Sequence, residues 1–570
     1  MPTAFAANPW YTYRRASRPI RIGLLCDARG LPNWFANSLD QLLTLPEVQL
    51  VCAFQAPANR KDPVPDRPFQ RFQKWSAGGC PDAFALSKYQ RKAPVESGFT
   101  LSSASALTTG ERELIRNQSL DALICPNVGS LAGDCSGLTQ WGVWSFLLGS
   151  PDRPRHAVPY WREVVEDQPV SQIHLLAHSG KFETGCIIDS LIVPTAPSLR
   201  FTRNQDLTLG AASTLVGRSL FKCAAGEMLL PSDAGTIDGP VPIVSPSLAT
   251  EVIPFVARKL VRSAALRVAA KAAEENFIWE VGIRDAPSRV DIQNPLAGTP
   301  FRLVEPPAGH SFADPFLVEE EGRHWLFAEQ YEHSAPRGVL VGMEVHPNGR
   351  IDQPFEVMNK ETHLSYPHII RSGRDFFMIP ESCAEHAVCL YRATRFPYEW
   401  QLEKVLADQF PLVDTTAYQQ EGTWYFFTSG DPNTTVEQGF LFTSDAIDGE
   451  WRYHPANPIA SDTRSLRAAG NLFRQDGRLF RPTQDSSVRY GYAMKLMEIT
   501  KLTPTEFEER EVGAAFPTWR KGLLGTHTLN RDSKFEVIDW LRRGQSRPAA
   551  GRGTSVPASA SASRAQVAGS

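Results

Sequence analysis

The sequence predicts a two-part chain, an α/β domain with a parallel sheet followed by an all-β propeller of five blades. Two observations carry this. Residues 20–54 read strand, helix, strand, the opening of a parallel α/β sheet. Later in the chain one short pattern recurs four times: GRHWLF from Gly322, GRDFFM from Gly373, GTWYFF from Gly422 and GRLFRP from Gly477. Each copy is a glycine followed by an aromatic or apolar run, and the spacings are 51, 49 and 55 residues. A unit of that length, made of short aromatic strands, is what a propeller blade looks like in sequence. Each glycine suits a tight hairpin turn, where φ > 0 is often required.

Residues 1–17 read as a flexible N-terminus without the basic-then-apolar order of a secretory signal. The α/β domain is expected over 18–215. Its first strand is IRIGLLCD, its first helix NWFANSLDQLLTL and its second strand VQLVCAF. The intervening turn, CDARGLPNW, lacks GxGxxG, so no dinucleotide site is assigned. Residues 56–100 read as a long Pro-, Arg- and Lys-rich excursion. Helix resumes near Thr109–Asn117, and strands follow near Leu120–Pro126 and Gly142–Phe146. SQIHLLAHSG reads as a strand with His174 and His178 on one face. With His156 these invite a metal reading, but hydrogen-bonded strand histidines are the commoner case. No third clustered ligand is in view, so no metal and no cofactor is assigned.

Residues 216–289 are expected to be a helical extension and linker. Within them, 245–278 is rich in Ala, Arg, Lys and Glu, with Val256, Leu260, Val261, Ala264 and Val268 at helical spacing. Arg258, Lys259, Arg262, Arg267 and Lys271 make this stretch basic. A domain connector is the favoured reading, and peripheral contact with a membrane surface the minor one. The propeller is expected over 290–543. The segment 544–570, GQSRPAAGRGTSVPASASASRAQVAGS, cannot bury an apolar core and is expected to be disordered.

Composition narrows the function. The 570 residues are 42% hydrophobic and 21% charged, with a net charge of −3. This balance argues against nucleic-acid binding, which needs a basic face. No apolar run approaches the roughly 20 residues that span a bilayer. Nine cysteines are scattered singly and never form CxxC, which reads as reduced thiols in a cytoplasmic protein.

Candidate site residues come from the repeat register. Eight residues before the four glycines stand Asp314, Ser365, Asp414 and Ala469. The first strand of a blade lines the channel, so these four are expected at one height, facing across the axis. Two converging carboxylates can split their pKa values and divide base and acid work. Turn or cap aspartates at strand starts are the alternative. Glu329, Glu381, Gln484 and Asp485 stand seven or eight residues after their glycines, on neighbouring strands at similar depth. His310, His368 and His527 are further channel candidates, His527 in a fifth blade. Arg464, Arg467 and Arg481 could hold an anionic sugar or a phosphate.

Three resemblances add to this reading. ADP at Ala313–Pro315 and VDT at Val413–Thr415 resemble the inner-strand motifs of five-bladed propeller glycosidases, such as glycoside hydrolase family 43. That resemblance implies Asp314 as general base and Asp414 as the residue that orients and tunes the acid. The family's glutamate acid falls at Ala469 here, so the chain departs from the family at the acid. SYPHI (Ser365–Ile369), IPES (Ile379–Ser382), AAGNLF (Ala468–Phe473, including Asn471) and RPTQDSSVRYG (Arg481–Gly491) together resemble the N-terminal propeller domain of the glucosamine inositolphosphorylceramide transferase family. In the first half, GVWSFLLG, VPYW and FETGCII are similar to the formyltransferase N-terminal domain, which implies a Rossmann-type α/β fold. That family reads N-x-H, a proline, then D-x-G. Ser145, Leu147 and Glu183 stand at its Asn, His and Asp positions, while Pro159 and Gly185 keep step. Formyl transfer needs an amine deprotonated and an oxyanion stabilised, and Leu147 can do neither.

The function expected is a carbohydrate-active protein of glycan or glycolipid assembly, acting by glycosyl transfer or glycoside cleavage. In that role Asp314 is the base, Asp414 tunes the site, and Glu381 or Asp485 protonates or orients. Glu329, His368, Arg467, Asn471, Arg481, Gln484 and His527 are expected to bind the substrate. The first alternative is a non-catalytic sugar-binding or scaffold protein with two degenerate enzyme domains. The second is formyl transfer to an amino sugar.

Overall fold

The computed structural model describes residues 16–544, apart from 58–65, 78–82, 88–96, 127–132, 197–200, 227–235, 238–242, 262–276, 431–436 and a few single or paired positions. Glu183, the basic residues Arg262, Arg267 and Lys271, and the tail from 545 lie outside the described residues.

The first part of the chain builds one eight-stranded sheet. Five strands run parallel in the order Ser97–Thr100, Val48–Ala56, Ile20–Asp27, Ala122–Cys125 and Val143–Leu148. The strands Val170–His178, Gly185–Pro194 and Thr236–Ile237 continue it antiparallel. The sheet is therefore mixed, and the purely parallel expectation holds for its first five strands only. The central strands are near-continuous apolar runs because both faces are covered, and Ile20, Ile22, Leu24 and Leu25 are all buried. The excursion over 56–100 contains structure of its own. Helix Arg67–Ala77 packs Phe69 against Trp161, with ring centroids 5.1 Å apart, and Ser97–Thr100 forms the sheet edge.

The stretch after this sheet corrects the linker reading at both ends. Phe255 is buried against Trp161 at 5.3 Å between ring centroids, and Lys259 Nζ lies 2.7 Å from Asp167 Oδ1. The start of the basic stretch is thus fastened to the α/β domain. The strand Phe277–Asp285 pairs along its whole length with Phe535–Arg543, so the propeller begins at 277 and not at 290. The sequence hides this because the strand's partner lies at the other end of the domain.

Five sheets form the propeller. Blade 1 comprises His310–Glu320, Arg323–Glu332, Gly338–Val345 and Phe355–Met358. Blade 2 comprises Ser365–Ser372, Asp375–Glu381, Ala387–Arg395 and Glu399–Asp408. Blade 3 comprises Leu412–Gln420, Thr423–Gly430, Gln438–Ser444 and Arg452–Tyr453. Blade 4 has a broken inner strand, Arg467–Ala468 and Phe473–Gln475, then Arg478–Asp485, Ala493–Leu502 and Phe507–Ala515. Blade 5 joins both ends of the propeller: Leu523–Gly525 and Leu529–Arg531 inside, then Phe535–Arg543, Phe277–Asp285 and Arg302–Leu303. Hydrogen bonds cross every junction of the ring. Thr528 Oγ1 donates to Asp314 Oδ1 (2.8 Å), Tyr366 N to Asp314 Oδ2 (3.3 Å) and Ala417 N to His368 Nε2 (2.9 Å). Gln484 Nε2 donates to Asp414 Oδ2 (3.1 Å) and Asn471 N to Asn530 Oδ1 (2.7 Å).

The two parts share one apolar core, which runs from Leu209, Leu215 and Leu220 into Leu412, Phe426 and Phe440 of blade 3. Backbone bonds fasten the connection between blades 3 and 4 to the sheet strand Gly185–Pro194. Ile192 N donates to Ser461 O (2.9 Å) and Thr463 N to Ile192 O (3.0 Å). Arg218, 2% exposed, sits at this seam. It pairs with Asp189, and its Nη1 donates to Ser461 Oγ at 2.7 Å.

Candidate functional site

The hairpin turns decide which residues reach the channel. In blades 1, 3 and 4 the turn pairs are Glu321–Gly322, Glu421–Gly422 and Asp476–Gly477, all with positive φ. In blade 2 the pair is Gly373–Arg374, because Ser372 pairs with Asp375, and the glycine stands first. Counting back from the glycine therefore slips by one residue in blade 2. The ladder gives the true register. Ala313 pairs with Glu329, Ser365 with Glu381, Val413 with Ser429, and Arg467 with Gln484. The residues that follow, Asp314, Tyr366, Asp414 and Ala468, are the equivalent set. This corrects the expected ring in which Ser365 and Ala469 stood beside the two aspartates. The first three occupy bulges with φ of 48°, 44° and 51°, a conformation that costs non-glycine residues free energy and clusters at functional sites.

Asp314 and Asp414 thus lie in matching positions of blades 1 and 3, with Tyr366 between them. Asp314 is 4% exposed and Asp414 3% exposed. Besides Thr528 and Tyr366, Asp314 has His527 Nδ1 at 3.8 Å. His527 Nδ1 lies 2.7 Å from Asp539 Oδ2, and Asp539 Oδ1 accepts from the backbone N–H groups of His527 (2.9 Å) and Thr528 (3.0 Å). Asp414 Oδ2 accepts from Gln484 and lies 3.4 Å from Arg467 Nη1. Arg467 is shared with Glu437, its Nε 2.9 Å from Glu437 Oε1.

Burial and like charge separate these groups. Burial raises Asp414 to about 7; Arg467 opposes this, while Asp314 and Glu381 add to it. Burial also raises Asp314, against His527 and with Asp539. Glu329 is driven well above the carboxylate range by burial and by Asp314. For His527 burial favours the neutral ring, but Asp539 and Asp314 outweigh it and raise the imidazole to about 9. Burial thus pushes the carboxyls of Glu329 and Asp414 toward the protonated form, while the neighbouring carboxylates hold the His527 ring toward the imidazolium. Aromatic rings border it. Trp279 stacks on His527 with centroids 4.0 Å apart, and the half-exposed Tyr490 lies 5.1 Å from the Arg467 guanidinium.

Other expected site residues are placed differently. Glu381 is near enough to act on Asp414, but its own blade holds it, through Ser365 Oγ (3.0 Å) and Cys383 N (2.8 Å). Asp485 follows Gln484 on the same strand, so it faces away from the channel, and it accepts from Ser487 N at 3.0 Å. Arg481 leaves the site too, buried in a bidentate pair with Glu509 (2.6 and 2.9 Å). His368 and Asn471 line the channel beyond Tyr366, away from the carboxylates. Tyr366 is fully buried, and its hydroxyl reaches Thr416 Oγ1 in blade 3 (2.8 Å) and Gly470 N in blade 4 (2.9 Å), so the ring forms a floor across the channel. His310 bonds locally to Ala308 O (3.1 Å).

Sequence reasoning missed Asp539, Thr528, Tyr366, Glu437 and Tyr490. Asp539 was detectable as a lone carboxylate in the buried run FEVIDWL. Asp314, His527 and Asp539 could present ligand atoms within 4.8 Å of one another.

In the α/β domain, Leu147 is buried and Ser145 has acquired a histidine from the next strand. His178 Nε2 lies 2.7 Å from Ser145 Oγ, and His178 Nδ1 lies 3.1 Å from Thr184 O. His174 is held by Ser190 Oγ (2.7 Å) and Gln172 (3.2 Å), and burial lowers it to about 4. Both are hydrogen-bonded strand histidines.

Residues 283–539 match the family model described as Glucosamine inositolphosphorylceramide transferase 1, N-terminal. Similar curated proteins include glucosamine inositolphosphorylceramide transferase 1 of Oryza sativa subsp. japonica, 35% identical over 216 residues, which cover 37% of this chain and 29% of the relative. The protein of the same description from Arabidopsis thaliana is 31% identical over 216 residues, covering 37% of this chain and 28% of the relative. The chain thus spans under a third of the length of these relatives. Similar solved structures include the GH43 BlXynB protein from Bacillus licheniformis, at 13% identity and TM-score 0.29, covering 36% of this chain and 44% of that one. Zg3597, a family 117 glycoside hydrolase of Zobellia galactanivorans, has 10% identity and TM-score 0.32, covering 46% of this chain and 90% of that one.

Proposed function

We propose that the propeller carries a carbohydrate site at the mouth bounded by Asp314, Asp414 and Glu329, and that the protein acts in glycan or glycolipid assembly by glycosyl transfer or glycoside cleavage. The observation that carries this is the pair Asp314 and Asp414, held in matching strained bulges while burial pushes both toward the protonated form. The match of residues 283–539 to a domain of glycolipid-synthesising transferases supports the substrate class. Asp314, beside the His527 imidazolium, is the base. Asp414 tunes the field from the opposite blade. Glu329 takes over the acid role expected of Glu381, because burial and Asp314 push its carboxyl well above its ordinary value. Tyr490 and Trp279 offer aromatic surface to a sugar ring. The mouth lies at the end where the α/β domain docks, since Gln438, beside Thr214, pairs with Gly430, the neighbour of Ser429.

The test is product formation by wild type and by Asp314→Asn against a panel of sugar donors and oligosaccharides. Asn keeps the size and removes the basicity, and losing a positioned base costs about 10²–10⁴-fold in rate. Equal rates for the two proteins would end the assignment of Asp314.

A second reading is favoured by Ala468 and Ala469, which leave blade 4 without a carboxylate in either register. On that reading the domain binds glycans without turnover, and both Asp314→Asn and Glu329→Gln change affinity alone. Formyl transfer has the least support, because Leu147 is buried and His178 is already bonded to Ser145.

A further inference from the structure

Tyr366 gives the channel a second, separate chamber. Beyond it, toward the hairpin turns, lies a cavity of about 310 Å³. Its wall is built by His368, Ala417, Asn471 and Asn530, from four successive blades, and Arg371 and Arg531 stand nearer its hairpin end. His368 is 3% exposed. Its Nε2 accepts from Ala417 N, so the neutral ring carries its proton on Nδ1. No group meets that Nδ1 at full hydrogen-bonding distance and angle, and the Asn471 side chain is the polar group that interacts with the ring. Burial lowers the ring to about 4, which keeps this tautomer throughout the neutral range.

A buried donor without a well-aligned acceptor costs up to about 1–3 kcal/mol, so its persistence in a polar cavity points to something that supplies the acceptor. The rim adds charge. Arg371 is matched by Glu320 at 2.9 Å. Arg531 donates from Nη2 to Pro287 O at 2.7 Å, and its cross-strand neighbour Glu536, which feels its charge, is paired with Arg284. The volume lies at the lower end of small-molecule pockets, about 300 Å³, and suits one sugar ring. Tyr418 and Gln419 add polar groups, and Trp424 an apolar wall.

We propose that this chamber is a second ligand site, distinct from the carboxylate mouth, for a sugar-sized molecule bearing one negative group. An oxygen of the ligand accepts from His368 Nδ1, and the anionic group lies at Arg531. The site stands whether or not the mouth on the other side of Tyr366 is catalytic.

Calorimetry on the full chain tests it, with glucuronate and glucose 6-phosphate as probes and glucose as the neutral control. The first two separate a carboxylate from a phosphate preference. At least one anion is expected to bind with a dissociation constant below about 1 mM, and glucose about tenfold or more weaker. Arg531→Gln, at a partly exposed position that the fold tolerates, is expected to weaken the anion about tenfold. His368→Phe removes the donor and is expected to weaken both anions; if it fails to fold, Arg531→Gln alone decides. Asp314→Asn, at the other mouth, is expected to leave this binding intact. Equal affinity for glucose, loss of binding in Asp314→Asn but not in Arg531→Gln, or no heat with any probe up to about 10 mM would overturn the proposal.

Discussion

Asp189, partly buried, and Asp414, buried, each face an arginine, and the protein treats them in opposite ways. Burial pushes Asp189 up, but Arg218, which pairs with no second carboxylate among the described residues, outweighs burial together with Lys222, so the carboxyl stays below its ordinary value. Asp414 shares Arg467 with Glu437 and lies within reach of Asp314 and Glu381, so burial wins and the carboxyl rises to about 7. The first arrangement fastens the α/β domain to the propeller. The second keeps a group poised near neutrality at the cost of stability, as functional sites commonly do.

Breaking each pair should expose the difference. Arg218→Met leaves Asp189 charged and largely shielded from water, which costs up to about 3–5 kcal/mol. A lowered urea midpoint is expected, and Asp189→Asn in the same chain should restore part of it. Asp414→Asn should act the other way. Its folded value lies above the ordinary 3.8, so stability is full below that pH and is lost as pH rises to about 7. Asn mimics the protonated form, and at pH 8 the variant should be about 2–4 kcal/mol more stable, measured as a raised midpoint. If Asp414→Asn destabilises as Arg218→Met does, the contrast between the two regions fails.

His527 sharpens the comparison on the alkaline side. Its folded value of about 9 exceeds the ordinary 6.5. The stability it contributes is full below 6.5 and lost as pH rises through about 9, by about 3 kcal/mol. Titrating the propeller's unfolding midpoint from pH 7 to 10 checks this, and Asp539→Asn should flatten the fall. The smallest effect belongs to the α/β sheet. Ser145→Ala removes one hydrogen bond from His178 and should cost about 1 kcal/mol, with no change in the His527 titration. A shift in that titration would mean that the two regions are electrostatically linked.

Legibility varied by element. The four repeats gave the inner hairpins, because aromatic runs and turn glycines are local features. The eight-residue count found Asp314 and Asp414, and failed at Tyr366 because a glycine can occupy either position of a two-residue turn. Asp485 looked equivalent to Gln484 by depth, but a strand alternates its faces, and Arg481, read as a holder of an anionic group, was captured by Glu509 from the blade's outer strand.

By itself the sequence determined the inner hairpins of four blades, the order of the two parts, the two aspartates and the alanines of blade 4, since each is written in neighbouring residues. Only the tertiary structure decided three further matters. It closed blade 5 with Phe277–Asp285, drawn from the other end of the domain. It brought Asp539 and His527 to Asp314 across more than 200 residues of chain. It also laid Tyr366 across the channel, dividing one expected site into two chambers. The reason is common to all three. A side chain's protonation state and reach depend on which charges and walls surround it, and in a ring those are supplied by other blades.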